Sequence, residues 1–100
     1  MKLRIDTSDS ENITVEVGST KILASSREKK SQMLLQSIKE AIDKEKVSLS
    51  DLTQIEVNTG PGSFTGLRMG VSVANALGWS RNIPVNGKDV GKDGPVEPQY

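Results

Sequence analysis

The chain contains no cysteine and no histidine among its 100 residues. The first absence removes disulfides, thiolate nucleophiles and zinc-finger sites. The second removes the commonest general base at neutral pH and the commonest transition-metal ligand. Aromatic residues are limited to one Phe, one Tyr and one Trp, too few for a base-stacking platform. Charge of one sign is not in excess either, since 13 Lys plus Arg balance 13 Asp plus Glu. That balance provides no long-range attraction to nucleic acid or to an anionic membrane. No apolar run approaches the ~20 residues of a membrane span, and Met1–Asp6 has no signal-peptide core. The expectation is a soluble, cytoplasmic chain that binds no metal, touches no membrane and is poorly equipped for catalysis.

What is present specifies a small layered domain. Leu, Ile, Val and Phe make up 25 residues, above the ~20% below which disorder becomes the default. Lys2-Leu3-Arg4-Ile5-Asp6 alternates polar and apolar, the period of a half-buried strand. Ile13, Val15 and Val17 repeat that alternation, and Gly18-Ser19 fits a tight II′ turn into a third strand over Thr20–Ser25. After the charge cluster Arg27-Glu28-Lys29-Lys30, read as a solvated approach, the period becomes helical. Leu34, Ile38, Ala41 and Ile42 mark the buried stripe of a helix over Ser31–Lys46, with Ser31 as its cap. Gln54–Asn58 reads as a fourth strand, Phe64–Ser80 as a second helix, and Ile83-Pro84-Val85 as a short edge strand. The order β-β-β-α-β-α-β describes an α/β lobe of ribonuclease-H-like topology over residues 1–86. Residues 87–100 read as a mobile polar tail.

Three features bear on function. Gly60-Pro61-Gly62-Ser63-Phe64-Thr65-Gly66 joins a strand to a helix N-terminus, where free N–H groups can meet an anion. It is neither a Walker loop nor the dinucleotide fingerprint; its glycines equally suit a turn of tight geometry. Arg68, in the first turns of the helix, can hold a phosphate or a partner carboxylate, or simply be solvated. Asp6-Thr7-Ser8, at the end of the first strand, suits Mg²⁺-linked phosphate as well as an ordinary turn. The third feature is the second helix itself. Gly66, Gly70, Ala74 and Gly78 recur every four residues, leaving one face nearly bare. Glycine costs roughly 1 kcal/mol against Ala at each helical position, so a close backbone neighbour must offset it. Leu67 and Val71 occupy one flank and Met69, Val73 and Ala76 another, so the helix needs cover on two sides. Either the first helix supplies the second cover or another protein does. On the latter reading Gly70→Leu removes partner binding and leaves the fold intact.

Gly-Pro-Gly-Ser-Phe-Thr-Gly-Leu-Arg-Met-Gly at 60–70 resembles the signature of the bacterial TsaB (YeaZ) family. Ile5-Asp6-Thr7-Ser8, Leu34-Leu35, Ile83-Pro84-Val85 and Gly87 follow the same pattern, so the resemblance spans residues 2–87. It implies one lobe of the two-lobed fold shared by actin, Hsp70 and sugar kinases. It also implies a non-catalytic scaffold that binds a TsaD-type transferase making N6-threonylcarbamoyladenosine in tRNA. The resemblance further implies a contact built from the two helices, here Leu34, Ile38, Gly66, Gly70, Ala74 and Gly78, and homodimers through the same surface. A TsaE-type ATPase would join through the complex, tRNA would be met only indirectly, and ATP or ADP would bind only at the partner contact. No intrinsic cofactor is implied. A small nucleotide-binding or hydrolysing domain using Asp6, Thr7 and Ser8 is the alternative, and a homodimeric module outside the pathway is another. A lone lobe is also expected to expose surface that the second would cover.

Overall fold

The computed structural model describes residues 1–25 and 30–99. Its strands are β1 (Lys2–Asp6), β2 (Asn12–Val17), β3 (Thr20–Ser25) and β4 (Gln54–Val57). Helices α1 (Lys30–Glu45) and α2 (Phe64–Arg81) are followed by the single turn α3 (Val90–Asp93). The sheet order is β3-β2-β1-β4, antiparallel throughout except for the parallel pair β1 and β4. Gly18, at φ +58°, turns β2 into β3 with Val17 opposite Thr20, as the two-residue hairpin requires. Glu45, at the far end of α1, accepts hydrogen bonds from Ser19 and Thr20 and ties that hairpin to the helix.

Register gathers the core on one face. Leu3 lies between Val17 and Ile55, and Ile5 between Val15 and Val57. All six are buried, together with Leu34, Ile38, Ala41 and Ile42 of α1. The opposite face carries Lys2, Arg4, Glu16 and Glu56. Lys2 pairs with Glu56 at 2.8 Å and Arg4 with Glu16 at 3.2 Å. Exposed pairs of this kind contribute about 0–1 kcal/mol each; what they do is let this face meet water.

The structure departs from the sequence reading in three places. Helix α1 starts at Lys30, so Ser31 lies inside it rather than capping it. The approach cluster Arg27-Glu28-Lys29 lies outside the described residues. The fifth strand shrinks to one parallel bridge, Ile55 with Val85, in which Ile55 N–H donates to Pro84 and Asn86 N–H to Ile55. Pro84 has no N–H to offer, and Asn86 turns to φ +51°, so no ladder can extend. The Asn86 amide takes the next rung instead. Its Oδ1 accepts from Val57 N–H at 2.8 Å and its Nδ2 donates to Val57 C=O at 3.0 Å. Finally, the residues read as a mobile tail are packed. Val90 and Val96 sit against the core, and the chain returns so that Gln99 N–H donates to Thr59 C=O at 2.6 Å.

Asn86→Ala should lower stability by about 1–3 kcal/mol, because two partly buried groups of Val57 lose their partners. Asn86→Gly should do nearly the same in urea denaturation, although glycine accepts the positive φ freely. Restoration by glycine would instead assign the role to backbone conformation.

Candidate functional site

The two stretches singled out in the sequence meet at the outgoing end of β1. Thr7 is buried, and its hydroxyl donates to the Gly66 carbonyl at 2.6 Å. A methyl group at Gly66 would run into the carbonyl oxygen of Thr7, and one at Gly70 into the Thr7 hydroxyl. Farther along α2, a methyl at Gly78 would strike Val85. The bare stripe therefore faces the chain's own β1 end and its 83–85 segment. Leu34, Ile38, Gly66, Gly70, Ala74 and Gly78 are all interior. None of the six offers a free surface to a partner, which corrects the interface assignment. The close backbone neighbour demanded by the glycines is present, but it is intramolecular.

The glycine-rich loop is held by the same strand end. Ser63 N–H donates to Ser8 C=O at 2.8 Å, and Gly60 N–H to Asn58 Oδ1 at 2.9 Å. Ser63 caps α2 by accepting from Gly66 N–H at 3.2 Å, the expected role of serine there. A methyl at Gly62 would sit 2.7 Å from Cβ of Ser8, so only glycine fits. Pro61 follows Gly60 through a cis peptide bond. At the exposed start of α2, the Arg68 guanidinium lies 5.3 Å from the centre of the Phe64 ring.

Asp6, Thr7 and Ser8 spend their polar groups on this junction. The Asp6 carboxylate accepts from Ser8 N–H at 3.0 Å, from the Ser8 hydroxyl at 2.7 Å and from Asn58 Nδ2 at 3.3 Å. Partial burial pushes its pKa up, but the Ser8 and Asn58 hydrogen bonds, with the Arg4 charge, outweigh that and hold it below the ordinary aspartate value. Among the described residues no group of three His, Cys, Asp or Glu side chains is placed to hold a metal ion. Asp6, Thr7 and Ser8 thus serve as a clasp between β1 and α2.

What remains outward on α2 is the flank opposite the buried arc. Helical spacing puts Thr65, Met69, Ser72 and Ala76 there, with Met69 half-buried and the others exposed. A shallow cavity of about 400 Å³ opens among Phe64, Thr65, Arg68, Met69 and Ser72. Met69 and Ala76 were legible as a flank of their own; Thr65 and Ser72 were not, being short polar residues without an apolar signal.

A family model described as "TsaD: tRNA N6-adenosine threonylcarbamoyltransferase" matches residues 23–87. The tRNA threonylcarbamoyladenosine biosynthesis protein TsaB of Bacillus subtilis is 53% identical over 36 residues, 36% of this chain and 16% of that protein. Its namesake in Buchnera aphidicola subsp. Schizaphis graminum is 37% identical over 54 residues, 54% of this chain and 26% of the other. A tRNA N6-adenosine threonylcarbamoyltransferase of Clostridioides difficile is 40% identical over 50 residues, 50% of this chain and 15% of its own length. Among solved structures, YeaZ from Pseudomonas aeruginosa superposes with a TM-score of 0.72 at 26% identity, over 84% of this chain and 42% of that one. The chain is thus comparable with less than half the length of each of these proteins.

Two measurements test the clasp. Gly70→Ala should cost about 1–3 kcal/mol by overpacking, and Gly70→Leu should prevent folding. Combined with Thr7→Ala, which removes the atoms the new methyl meets, the Gly70→Ala loss should shrink; strict additivity would place the strain elsewhere. The second measurement is the pH dependence of stability. A depressed Asp6 pKa in the folded state contributes stability that is complete above about pH 4 and is lost as pH falls through the folded value. Between pH 7 and 3 the urea midpoint of Asp6→Asn should therefore fall less than that of the unaltered chain.

Proposed function

Because the chain belongs to the TsaD family of the matching model, on its TsaB/YeaZ side, we propose that it is an accessory subunit in the biosynthesis of N6-threonylcarbamoyladenosine in tRNA. On this reading it carries no catalytic residue. It docks on a TsaD-type transferase, and a TsaE-type ATPase joins through the assembled complex. Transfer chemistry is left to the partner, in keeping with the absence of His and Cys and with the commitment of Asp6, Thr7 and Ser8 to the β1–α2 clasp. ATP or ADP would be met only where the two proteins touch. Contact with tRNA would be indirect, as a chain without net charge and with three aromatic residues has little means of holding it.

The observation that carries the reading is the outer flank of α2. Thr65, Ser72 and Ala76 are short and exposed, and Met69 is a flexible side chain half-buried at the margin of the core. Small side chains lower the helix surface, so a second helix can approach and interdigitate at the 8–10 Å spacing of packed helices. Phe64 and Arg68 border the same flank and are of the residue types enriched in binding hot spots and interface cores. A transferase of related fold can present its own pair of helices there. A second copy of this chain would compete for the same surface.

Light scattering on a sizing column, with the transferase of the same genome, tests this directly. A one-to-one complex is expected. Ala76→Arg, at an exposed position, should leave thermal stability unchanged and weaken the complex by roughly 2 kcal/mol, ~30-fold in Kd. Absence of any complex with the unaltered, folded chain would remove the scaffold assignment. A complex indifferent to Ala76→Arg would move the contact off α2.

A further inference from the structure

Residues 94–99 form an extended segment laid across the end of β4, and no part of the reading above uses them. Asn75 of α2, next to the flank that carries Ser72, grips the main chain of Val96 at both groups. Its Nδ2 donates to Val96 C=O at 2.8 Å and its Oδ1 accepts from Val96 N–H at 3.0 Å. Lys88 Nζ donates to Pro95 C=O at 3.2 Å, and Gln99 N–H reaches Thr59 C=O. The segment sits directly on the glycine-rich loop, because a methyl group at Gly60 would strike the Gln99 carbonyl.

These attachments share a character that the core lacks. They are hydrogen bonds to main-chain atoms, made where Val96 is only half-buried and Glu97 is exposed. Beneath the segment lies an open polar cavity of about 570 Å³, lined among others by Thr59, Asn86, Lys88, Glu97 and Gln99. Pro95, Val96, Glu97 and Gln99 of the segment form part of that cavity's wall, and Val96 is its contact with the core. Its start is built as a pivot: Gly94 adopts φ +85°, ψ 173°, a region essentially closed to residues with a side chain. A segment held mainly by hydrogen bonds to its main chain, with Val96 half-buried as its contact with the core and a glycine at its base, belongs to the low-stability end of local opening.

We propose that residues 94–99 are a strap that closes over Thr59 and Gly60 in the free chain and opens about Gly94 while the sheet stays folded. In its closed position it controls access to the end of β4 and to the start of the glycine-rich loop. This does not rest on the assignment to tRNA modification, and its test needs no partner protein.

Amide hydrogen exchange on the full chain supplies the first readout. The Val96 and Gln99 amides should be protected, yet exchange well before those of β1. Asn75→Ala should speed both by about tenfold and leave β1 unaffected. Access is read separately. Since the chain has no cysteine, Thr59→Cys introduces a single thiol, and its labelling should be about tenfold faster when Asn75→Ala is added. Gly94→Val, which acts at the pivot and leaves the Asn75 clamp in place, should have the same effect on labelling and exchange. Free-peptide exchange at Val96 and Gln99 in the unaltered chain would overturn the strap. Exchange of those amides together with β1, or labelling unchanged by either release variant, would overturn independent opening.

Discussion

The approach of α2 to Thr7 is the constraint on which the rest of the molecule depends. The Thr7 hydroxyl donates to the Gly66 carbonyl, and the missing side chains of Gly66 and Gly70 leave room for it. A helix surrenders roughly 1 kcal/mol for each glycine in its interior, and here the return is a buried, satisfied hydrogen bond between a strand end and a helix flank. Once α2 is drawn in at that point, the loop before it has little freedom. Ser63 must cap the helix and also reach Ser8, and Gly62 must lie against Ser8 without a side chain. The eleven-residue signature at 60–70 is therefore largely a description of one joint. Its residues are read more economically as a clasp than as a phosphate cradle.

The parts of the fold legible in the sequence are those set by local periodicity. Alternation in Leu3, Ile5, Ile13, Val15 and Val17 placed the first strands, and the hairpin at Gly18 followed from turn chemistry alone. The single-lobe α/β topology expected from the element order agrees with the superposition on YeaZ. Long-range substitutions for backbone structure were not legible. Nothing local announces that the Asn86 side chain will stand in for a strand rung against Val57, ending the edge strand at Val85. Nor does composition announce that a polar, proline-containing segment will find Asn75. The bare stripe was the instructive case: four-residue spacing correctly demanded a close neighbour, but periodicity has no means of saying which one.

A lone lobe is expected to expose surface that a second lobe would cover. The sheet face opposite the helices carries Lys2, Arg4, Glu16 and Glu56 in mutual ion pairs, with Leu23 as its prominent apolar exception. Two salt-bridged acids facing two bases make a sheet surface that water can cover. Glu56 shows the effect on protonation, its pKa lowered first by the Lys2 hydrogen bond and then by the Lys2 charge. The proposed docking surface is therefore sought in the helical layer and not on the back of the sheet.

The circumference of α2 is covered unevenly by the rest of the chain. Its glycine arc is taken by Thr7 and by the 83–85 segment. Val73 and Leu77 pack on the core margin, and Asn75 is engaged by Val96. A helix that is apolar or small on almost every side would be unstable at a surface, so each of these covers answers a need written into its sequence. The arc through Thr65, Ser72 and Ala76 is left exposed, with Met69 half-buried at its margin and Trp79 exposed near the helix end. Had Gly70 and Gly78 faced outward, as the spacing alone suggested, the helix would have presented a groove. With the glycines turned inward it presents a low ridge, so under the proposed docking a partner helix would lie against the flank and not sink into the stripe.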